Sequence, residues 1–371
     1  MYTPKFTITN KILKNIGVLE AAREVIMNAP LVPAWEEKFR EEAIIRTVHH
    51  GTHIEGNELN YTEAAKVVAG QEVVGRDRDI QEVLNYRRVL DFLNRFSQPQ
   101  SQGDVVDNIE DIKTREIIGR AHKKITEEVI LYLHNLIVEK ILDVPHGGTY
   151  RVTQVVVKNS LTGEITFRPP PAIEVPFQTR AFLDYLNTTS SDTVHPVMKA
   201  GIAHYELVRI HPFIDGNGRV ARAVATLTLF LDGYDTKKFF ALEEFYDHEP
   251  GHYYEALQSV TRNMGDLTEW LGYFSEGLAI ELTRVKEKVL SLSRDVKLKE
   301  ELGGQQLQLT PRQIKLVEYL QHTGFLQNKA FFELFPMVSE DTVLRELKDL
   351  VEKGIIVKEG ITKGARYVLR S

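Results

Sequence analysis

The segment from Gly218 to Leu231 is apolar on nearly every face. A helix of that kind has no side to offer to water, so it is read as a buried central helix. Such a helix demands other helices around it, and the flanking sequence supplies them. Between Ala34 and His49, apolar residues fall at Trp35, Phe39, Ala43, Ile44 and Val48, which is helical spacing. Asn60 stands three residues before Glu63 and opens Ala64-Ala65-Lys66-Val67-Val68, the pattern of a capped helix start. Ile80 to Phe96, Thr126 to Ile141 and Leu278 to Glu301 read as further helices, the last highly charged on one side. Pro196 to Ile210 is another, with Ile202, Tyr205, Leu207 and Ile210 as core candidates. The fold class expected is mainly α.

Two regions break this pattern. Tyr150 to Val157 is β-rich, Asn159 to Gly163 is turn-like, and Glu164 to Phe167 is a second short strand. Together they signal a hairpin, closed by Pro169-Pro170-Pro171, which cannot donate to a ladder. Near the C-terminus, Gly303-Gly304 and Pro311 mark a boundary. Three short helical patterns follow, then Ile355-Ile356-Val357 and Arg366 to Leu369, a winged-helix pattern by analogy. Ser97 to Gly103 reads as a loop. A length of 371 residues suggests two or three domains.

Composition removes several kinds of chemistry. There is no cysteine, which excludes disulfide scaffolds, thiol catalysis and zinc–thiolate sites. The opening residues carry no apolar stretch of signal-peptide type, and no run of about 18 apolar residues occurs, so no membrane role is expected. A net charge of −6 argues against a nucleic-acid binder along the whole chain. Any phosphate must be held at a locally built site.

The sequence from His211 to Arg222, HPFIDGNGRVAR, offers one. Pro212 discourages His211 from continuing the preceding helix, so its imidazole sits at a helix end facing a loop. Gly216-Asn217-Gly218 opens the buried helix, and free N–H groups at a helix start form an anion site. Arg219 and Arg222 are three apart and share one face, where two guanidiniums would hold a polyphosphate. Asp215 is an oxygen donor beside it, suited to Mg²⁺ shared with a substrate phosphate. His211 is the nearby group able to take a proton near neutral pH. The bland alternative is a loop histidine with arginines capping acidic neighbours. Six matched residues within twelve positions weigh against it.

This segment resembles the Fic family motif, His-Pro-Phe-x-(Asp/Glu)-Gly-Asn-Gly-Arg-x-x-Arg, at every defined position. The resemblance implies a protein adenylyltransferase that moves AMP from Mg-ATP to a Ser, Thr or Tyr hydroxyl of a target protein. In that reading His211 is the general base and Asp215 binds Mg²⁺. Gly216, Asn217 and Gly218 form the anion hole, and Arg219 and Arg222 hold the β and γ phosphates. Gly218 matters here, because Doc-like relatives that phosphorylate carry Lys at that place. The hairpin from Gly148 through Pro171 looks like the family's flap, with Val155, Val156 and Val157 as the edge that would dock a target strand. Tyr253 and Tyr254 lie where relatives place residues around the adenine; one core and one surface tyrosine is the equal alternative.

Thr52-His53-Ile54-Glu55-Gly56-Asn57 resembles the family's inhibitory motif, (Ser/Thr)-x-x-x-Glu-(Gly/Asn). The resemblance implies that Glu55 pairs with Arg222 and competes with the γ-phosphate for it. One departure stands out: Gly51, not Ser or Thr, is four residues before Glu55. The chain is thus expected to be a cytoplasmic Fic-type enzyme. Its parts would be an N-terminal helical region with the inhibitory helix (1–105), a Fic catalytic core (106–295) and a winged-helix domain (302–371). From Leu302 onward there are ten Lys or Arg against eight Asp or Glu, a weak excess for DNA binding. Two other readings carry forward: a de-AMPylase, and a nucleotide-sensing DNA-binding regulator. The target, which includes the chain itself as a candidate, and a homodimer are the other partners the resemblance leaves open.

Overall fold

The computed structural model encloses the central helix among other helices. It describes residues 2–29, 31, 33–98, 109–143, 146–158, 165–301, 309–327, 330–336, 338–360 and 366–370. Contacts gather into two units, one of residues 1–22 and 42–283, the other of 23–41 and 284–371.

In chain order the helices begin with α1 (Asn10–Asn28), α2 (Pro33–His53), α3 (Tyr61–Val68), α4 (Asp77–Ser97), α5 (Ile109–Ala121) and α6 (Glu127–Val138). The Asn60 side chain accepts from the Glu63 N–H while the Glu63 carboxylate accepts from the Asn60 N–H, so α3 starts in the capping box its sequence predicts. Thr126 caps α6 by accepting from the Val129 N–H. That helix ends at Val138 rather than near Ile141, and Lys140 turns left-handed at φ 59°.

Strands β1 (Val157–Lys158) and β2 (Ile165–Phe167) follow, then α7 (Val175–Thr188), α8 (Pro196–Ile210) and α9 (Asn217–Leu231). α9 packs on α8, α4 and α6. Almost its whole length is buried, from Val220 through Ala225 and on to Leu229. The surrounding core includes Val89, Leu133, Phe182, Leu207 and Phe213. Each such side chain contributes about 1.5–3 kcal/mol when fully buried. The apolar run is therefore enclosed on several sides, as its composition requires. α10 (Leu242–His248), α11 (Pro250–Arg262) and α12 (Thr268–Glu301) complete this part of the chain. α12 begins ten residues earlier than the charged stretch from Leu278 suggests.

The hairpin is shorter than its composition predicts. Val157 pairs with Phe167 and Lys158 with Ile165, antiparallel and with an irregularity between them. Val155 and Val156 lie outside the ladder. The strand facing them would be Arg168 to Pro171, and its prolines have no N–H to offer. The Arg151 N–H is meanwhile used by the Pro212 carbonyl, and the Gln154 side chain by Pro169. The expected turn at Asn159 to Gly163, and Glu164, lie outside the described residues, as do Gln100 to Gly103 and Gly303-Gly304.

Within the second unit come α13 (Pro311–Thr323), α14 (Phe331–Leu334), α15 (Glu340–Glu352), β3 (Ile356–Glu359) and β4 (Arg366–Leu369). Thr310 and Gln313 form a capping box at α13, with Pro311 in the first turn. α13 and α15 pack together over Leu316, Leu320, Leu347 and Leu350. β3 and β4 are antiparallel, and Leu326 exchanges both main-chain bonds with Tyr367. Glu346 of α15 is buried and accepts from Thr310 and Arg312. It belongs to the packing face, so a count of charges along α15 overstates the acidity of its outer side. Among the described residues no helix is long and apolar enough to cross a membrane.

Candidate functional site

The loop joining α8 to α9 is fixed before any ligand is considered. α8 ends because Pro212 cannot donate to it. His211 caps the helix in the left-handed region, φ 50° and ψ 60°, with its N–H on the Leu207 carbonyl. Asn217 then ties the loop into a ring. Its Oδ1 accepts from the Phe213 N–H and its Nδ2 donates to the Phe213 carbonyl, both at 2.9 Å. Gly216 sits at φ 77°, and a Cβ there would come within 3.0 Å of Ile137 and 3.2 Å of Val138. Glycine is thus required by both conformation and space.

His134 of α6 supports the loop from outside and is not legible in the sequence. Its ring stacks on Phe213 with centroids 3.7 Å apart. Its Nδ1 accepts from the Gly148 N–H, which leaves Nε2–H to donate to the Asp215 carbonyl at 3.1 Å. Burial pushes this imidazole down to about 4, so it stays neutral and keeps that donor and acceptor arrangement.

His211 itself is directed to a cavity of about 320 Å³. Its Nδ1 is 3.3 Å from the Val208 carbonyl. A carbonyl only accepts, so the ring proton belongs on Nδ1 and Nε2 is left as the proton acceptor. Burial lowers the His211 imidazole below the usual histidine range, and the neighbouring Arg151 charge acts in the same direction. The cavity is also lined by Glu55, Val157, Phe167, Gly218, Arg222, Tyr253 and Tyr254. Gly216, Asn217, Asp215 and Arg219 do not line it; they build the junction that carries Gly218. Val155 and Val156 are likewise outside the lining.

Arg222 is 2% exposed, and its Nη2 donates to Glu55 and to the Gly51 carbonyl, each at 2.8 Å. Burial opposes its charge, but Glu55, with Tyr253, Tyr86 and Glu243 around it, outweighs that and raises its pKa. Glu55 lies in the turn just past α2, where Gly56 takes φ 95°. Its carboxylate also covers Gly218 so closely that any Cβ at that position would collide with Oε1. Glu55 therefore stands over the start of α9 and holds the second arginine at once.

The glycine that departs from the inhibitory pattern has a local cause. A Cβ on Gly51 would meet the Tyr86 ring at 2.5 Å and Glu243 Cγ at 3.3 Å. The neighbouring Thr52 hydroxyl turns back onto its own helix, donating to Val48 and His49 carbonyls. Below Glu55, His50 and His53 share the Asp247 carboxylate of α10, at 2.8 Å each.

Arg219 is 2% exposed and poorly satisfied. Its Nη1 and Nη2 stand 3.4 Å from Glu82 and 3.5 Å from Asp215, while Nε and Nη1 make no hydrogen bond. Asp215 keeps 31% of its side chain exposed and receives Arg78 Nη2 at 3.0 Å. Glu82 also accepts from Arg78 and from Asn57. Arg78, Glu82 and Asn57 thus join the junction to α4 and to the segment after Glu55, a network with no sequence signal beyond the four-residue spacing of Arg78 and Glu82. Among the described residues no cluster of three or more His, Asp or Glu could hold a metal alone. Asp215 is a partly exposed carboxylate whose Oδ1 accepts from the Gly216 N–H at 2.6 Å and whose Oδ2 accepts from Arg78. A Mg²⁺ held there would take most of its ligands from a substrate's phosphates, while the under-satisfied Arg219 guanidinium beside it suits a phosphate.

Tyr253 and Tyr254 divide as the open alternatives allow. Both line the cavity, yet Tyr253 is 2% exposed, with its hydroxyl on His204 at 2.9 Å, and Tyr254 is 46% exposed.

Residues 124–229 match the Fic/DOC family profile. The protein adenylyltransferase Fic of Nematostella vectensis is 26% identical over 257 residues, 69% of this chain and 52% of that protein. The protein adenylyltransferase fic-1 of Caenorhabditis elegans is 26% identical over 286 residues, 76% of this chain and 48% of that protein. The chain spans about half the length of these curated relatives. Among solved structures, a Fic family protein from Desulfovibrio desulfuricans aligns over 100% of this chain and 98% of its own, with TM-score 0.63 and 23% identity. Fic-1 from C. elegans aligns over 76% of this chain and 74% of the solved chain, with TM-score 0.56 and 24% identity. These likenesses show the fold: mainly α, Fic-like, with a small β-hairpin.

Proposed function

We propose that this Fic-family protein, an enzyme related to adenylyltransferases, transfers AMP from Mg-ATP to a Ser, Thr or Tyr hydroxyl of a protein and is restrained by Glu55. The observation that carries the reading is the shared cavity of His211, Gly218, Arg222 and Glu55 beside the strand residues Val157 and Phe167. A base, an anion-binding helix start, a buried guanidinium and its carboxylate competitor are what a hydroxyl-to-phosphorus transfer under restraint needs.

The target hydroxyl gives its proton to His211 Nε2. Its oxygen attacks the α-phosphorus as the bond to the bridging oxygen breaks, and pyrophosphate leaves with the electron pair. In this reading the Gly216-Asn217-Gly218 helix start orients the phosphates, and Arg219 and Arg222 hold the β and γ phosphates. Gly218 and Arg222 do so from the cavity lining, Asn217 and Arg219 from the junction behind it, and the Gly216 N–H would first have to leave Asp215 Oδ1, to which it donates at 2.6 Å. Asp215 is the residue that would hold Mg²⁺, which supplies neutralisation of phosphate charge. The target is read as an extended segment laid along Val155, Val156 and Val157, with Tyr253 and Tyr254 beside the base. Tyr254 is the better placed of the two for a face contact, being the exposed one. For the second unit, the winged-helix reading rests on the order α13, α14, α15, β3 and β4. We retain 1–105, 106–295 and 302–371 as functional segments. The inhibitory segment nevertheless packs within the same unit as the cavity.

The test uses Glu55→Gly protein with α-labelled and γ-labelled ATP in turn. Label retained on protein from the α position alone, and lost in Glu55→Gly/His211→Ala, is the expected result. Retention of the γ label refutes AMP transfer. Release of AMP from pre-modified protein would assign the de-AMPylase activity instead.

A further inference from the structure

Arg151 is one of the largest fully buried side chains of the protein, 2% exposed. A buried guanidinium ordinarily sits against a carboxylate. Here every partner is a main-chain carbonyl: Nε donates to His211 at 2.8 Å, Nη1 to Thr153 at 3.2 Å and Nη2 to Pro170 at 2.6 Å. The Ile210 carbonyl lies 3.5 Å from Nη2, and the Arg151 N–H donates to Pro212 at 2.9 Å. Among the described residues no carboxylate pairs with it.

These bonds converge on a strained place. His211 is a non-glycine residue held left-handed, φ 50°, a strained conformation that persists only where the surroundings enforce it. The residues on either side of that conformation, Ile210 and Pro212, and His211 itself all present their carbonyls to Arg151. The same guanidinium grips both ends of the flap, at Thr153 on its way out and at Pro170 on its return. We propose that Arg151 is a positioning residue of this site. It locks the His211 turn so that the imidazole faces the cavity, and it couples that turn to the flap. The proposal rests on His211 acting as the base in the function given above.

Its unpaired charge has a second effect on the base. The groups acting most on the His211 ring are its own burial, the Val208 carbonyl, Arg151, Glu55 and Asp215; Arg209, Arg222 and Arg262 line the same cavity. Among the charges acting most, Arg151 alone disfavours the imidazolium; the two carboxylates favour it. Arg151 therefore helps to keep the base unprotonated at neutral pH.

The test compares Arg151→Met and Arg151→Lys in the Glu55→Gly background. Arg151→Met is expected to lower the turnover of AMP transfer about 100-fold, the usual effect of a misplacement near 1 Å. ATP affinity by equilibrium binding should stay within about twofold. Arg151→Lys, which keeps the charge and part of the donor set, should recover a measurable share of the turnover. His211 is followed independently by its ring signal in ¹³C-histidine-labelled protein, assigned by loss in His211→Ala. The acid limb of that titration should move to higher pH in Arg151→Met and less in Arg151→Lys. Unchanged turnover, equal loss of ATP affinity and turnover, or an unmoved His211 titration in a folded variant each overturns the assignment. If Glu55→Gly transfers no AMP at all, the enzyme reading fails, while the His211 titration still decides the role of Arg151.

Discussion

Replacing Glu55 separates charge competition from mere crowding. Its carboxylate is one of two partners of Arg222 Nη2, the other being the Gly51 carbonyl. The Glu55 side chain keeps 24% exposure against 2% for Arg222, so the pair is mostly but not wholly screened from water. A charge-assisted hydrogen bond in such a setting contributes about 1.5–3 kcal/mol. At roughly 1.4 kcal/mol per factor of ten, removing the competitor should strengthen ATP binding by about 10- to 150-fold. The effect should require the terminal phosphate. AMP, which lacks the phosphate that Arg222 is proposed to hold, should bind Glu55→Gln and the wild type with affinities within about twofold.

Glu55→Gln isolates the charge because its amide keeps nearly the same volume over Gly218. Glu55→Gly removes the volume as well. Calorimetric titration of ATP, ADP and AMP into both variants gives the comparison. A second readout is stability without nucleotide. Arg222 left buried without its carboxylate should be costly, again by about 1.5–3 kcal/mol, since Glu55 keeps 24% exposure and the pair is not fully buried. Both variants should therefore melt several degrees lower than wild type when empty and regain part of the loss with ATP. Equal gains for ATP and AMP would mean that Glu55 acts by occupying space at the helix start. No gain for either would remove Glu55 from nucleotide control altogether.

Gly51→Ser, which restores the residue type of the resembled motif, should destabilise by about 1–3 kcal/mol because its Cβ meets the Tyr86 ring; a melting temperature at or above wild type would refute that packing argument. Asp247→Asn should loosen the hold on His50 and His53 and raise AMP incorporation roughly fivefold, equivalent to about 1 kcal/mol, and incorporation at the wild-type level would show that the clamp does not support the Glu55 turn. The acid limb of AMP transfer should lie below the ordinary histidine value of about 6.5. Burial lowers the His211 pKa; with the unprotonated ring as the proposed working form, activity should be lost only as pH falls through that depressed value. A limb at or above pH of about 6.5 that vanishes in no His211 variant would assign the base elsewhere.

The parts legible in the sequence share one property: their cause is local. The capping box at Asn60 and Glu63 is set by four consecutive residues, and the structure contains both of its bonds. The enclosure of α9 follows from an apolar run that admits no surface. The bend at His211 follows from the proline after it. The hairpin is set less locally, because strand composition at Val155 and Val156 does not fix the register that puts prolines without N–H groups opposite them.

What composition could not reveal is pairing across distance, and this bears most on the candidate site. Glu346 counts as a surface charge on α15 until the fold turns it onto Thr310 and Arg312. Asp215 looks like a free oxygen donor until Arg78 arrives from α4. Arg151 looks like one hairpin residue among several, and only the fold gives its guanidinium four carbonyls, from Thr153, Pro170, Ile210 and His211. The local acidity or basicity of a segment therefore says little about the field at the cavity. That field depends on which charges remain uncompensated once buried. Arg222 is compensated by a carboxylate from a neighbouring turn, so that compensation can be withdrawn by moving the turn. Arg151 is solvated by carbonyls alone, so its charge is constant. In the proposed function, moving the Glu55 turn would free Arg222 for a phosphate and would also withdraw a charge that favours the His211 imidazolium, leaving Arg151 as the fixed charge that holds the base unprotonated.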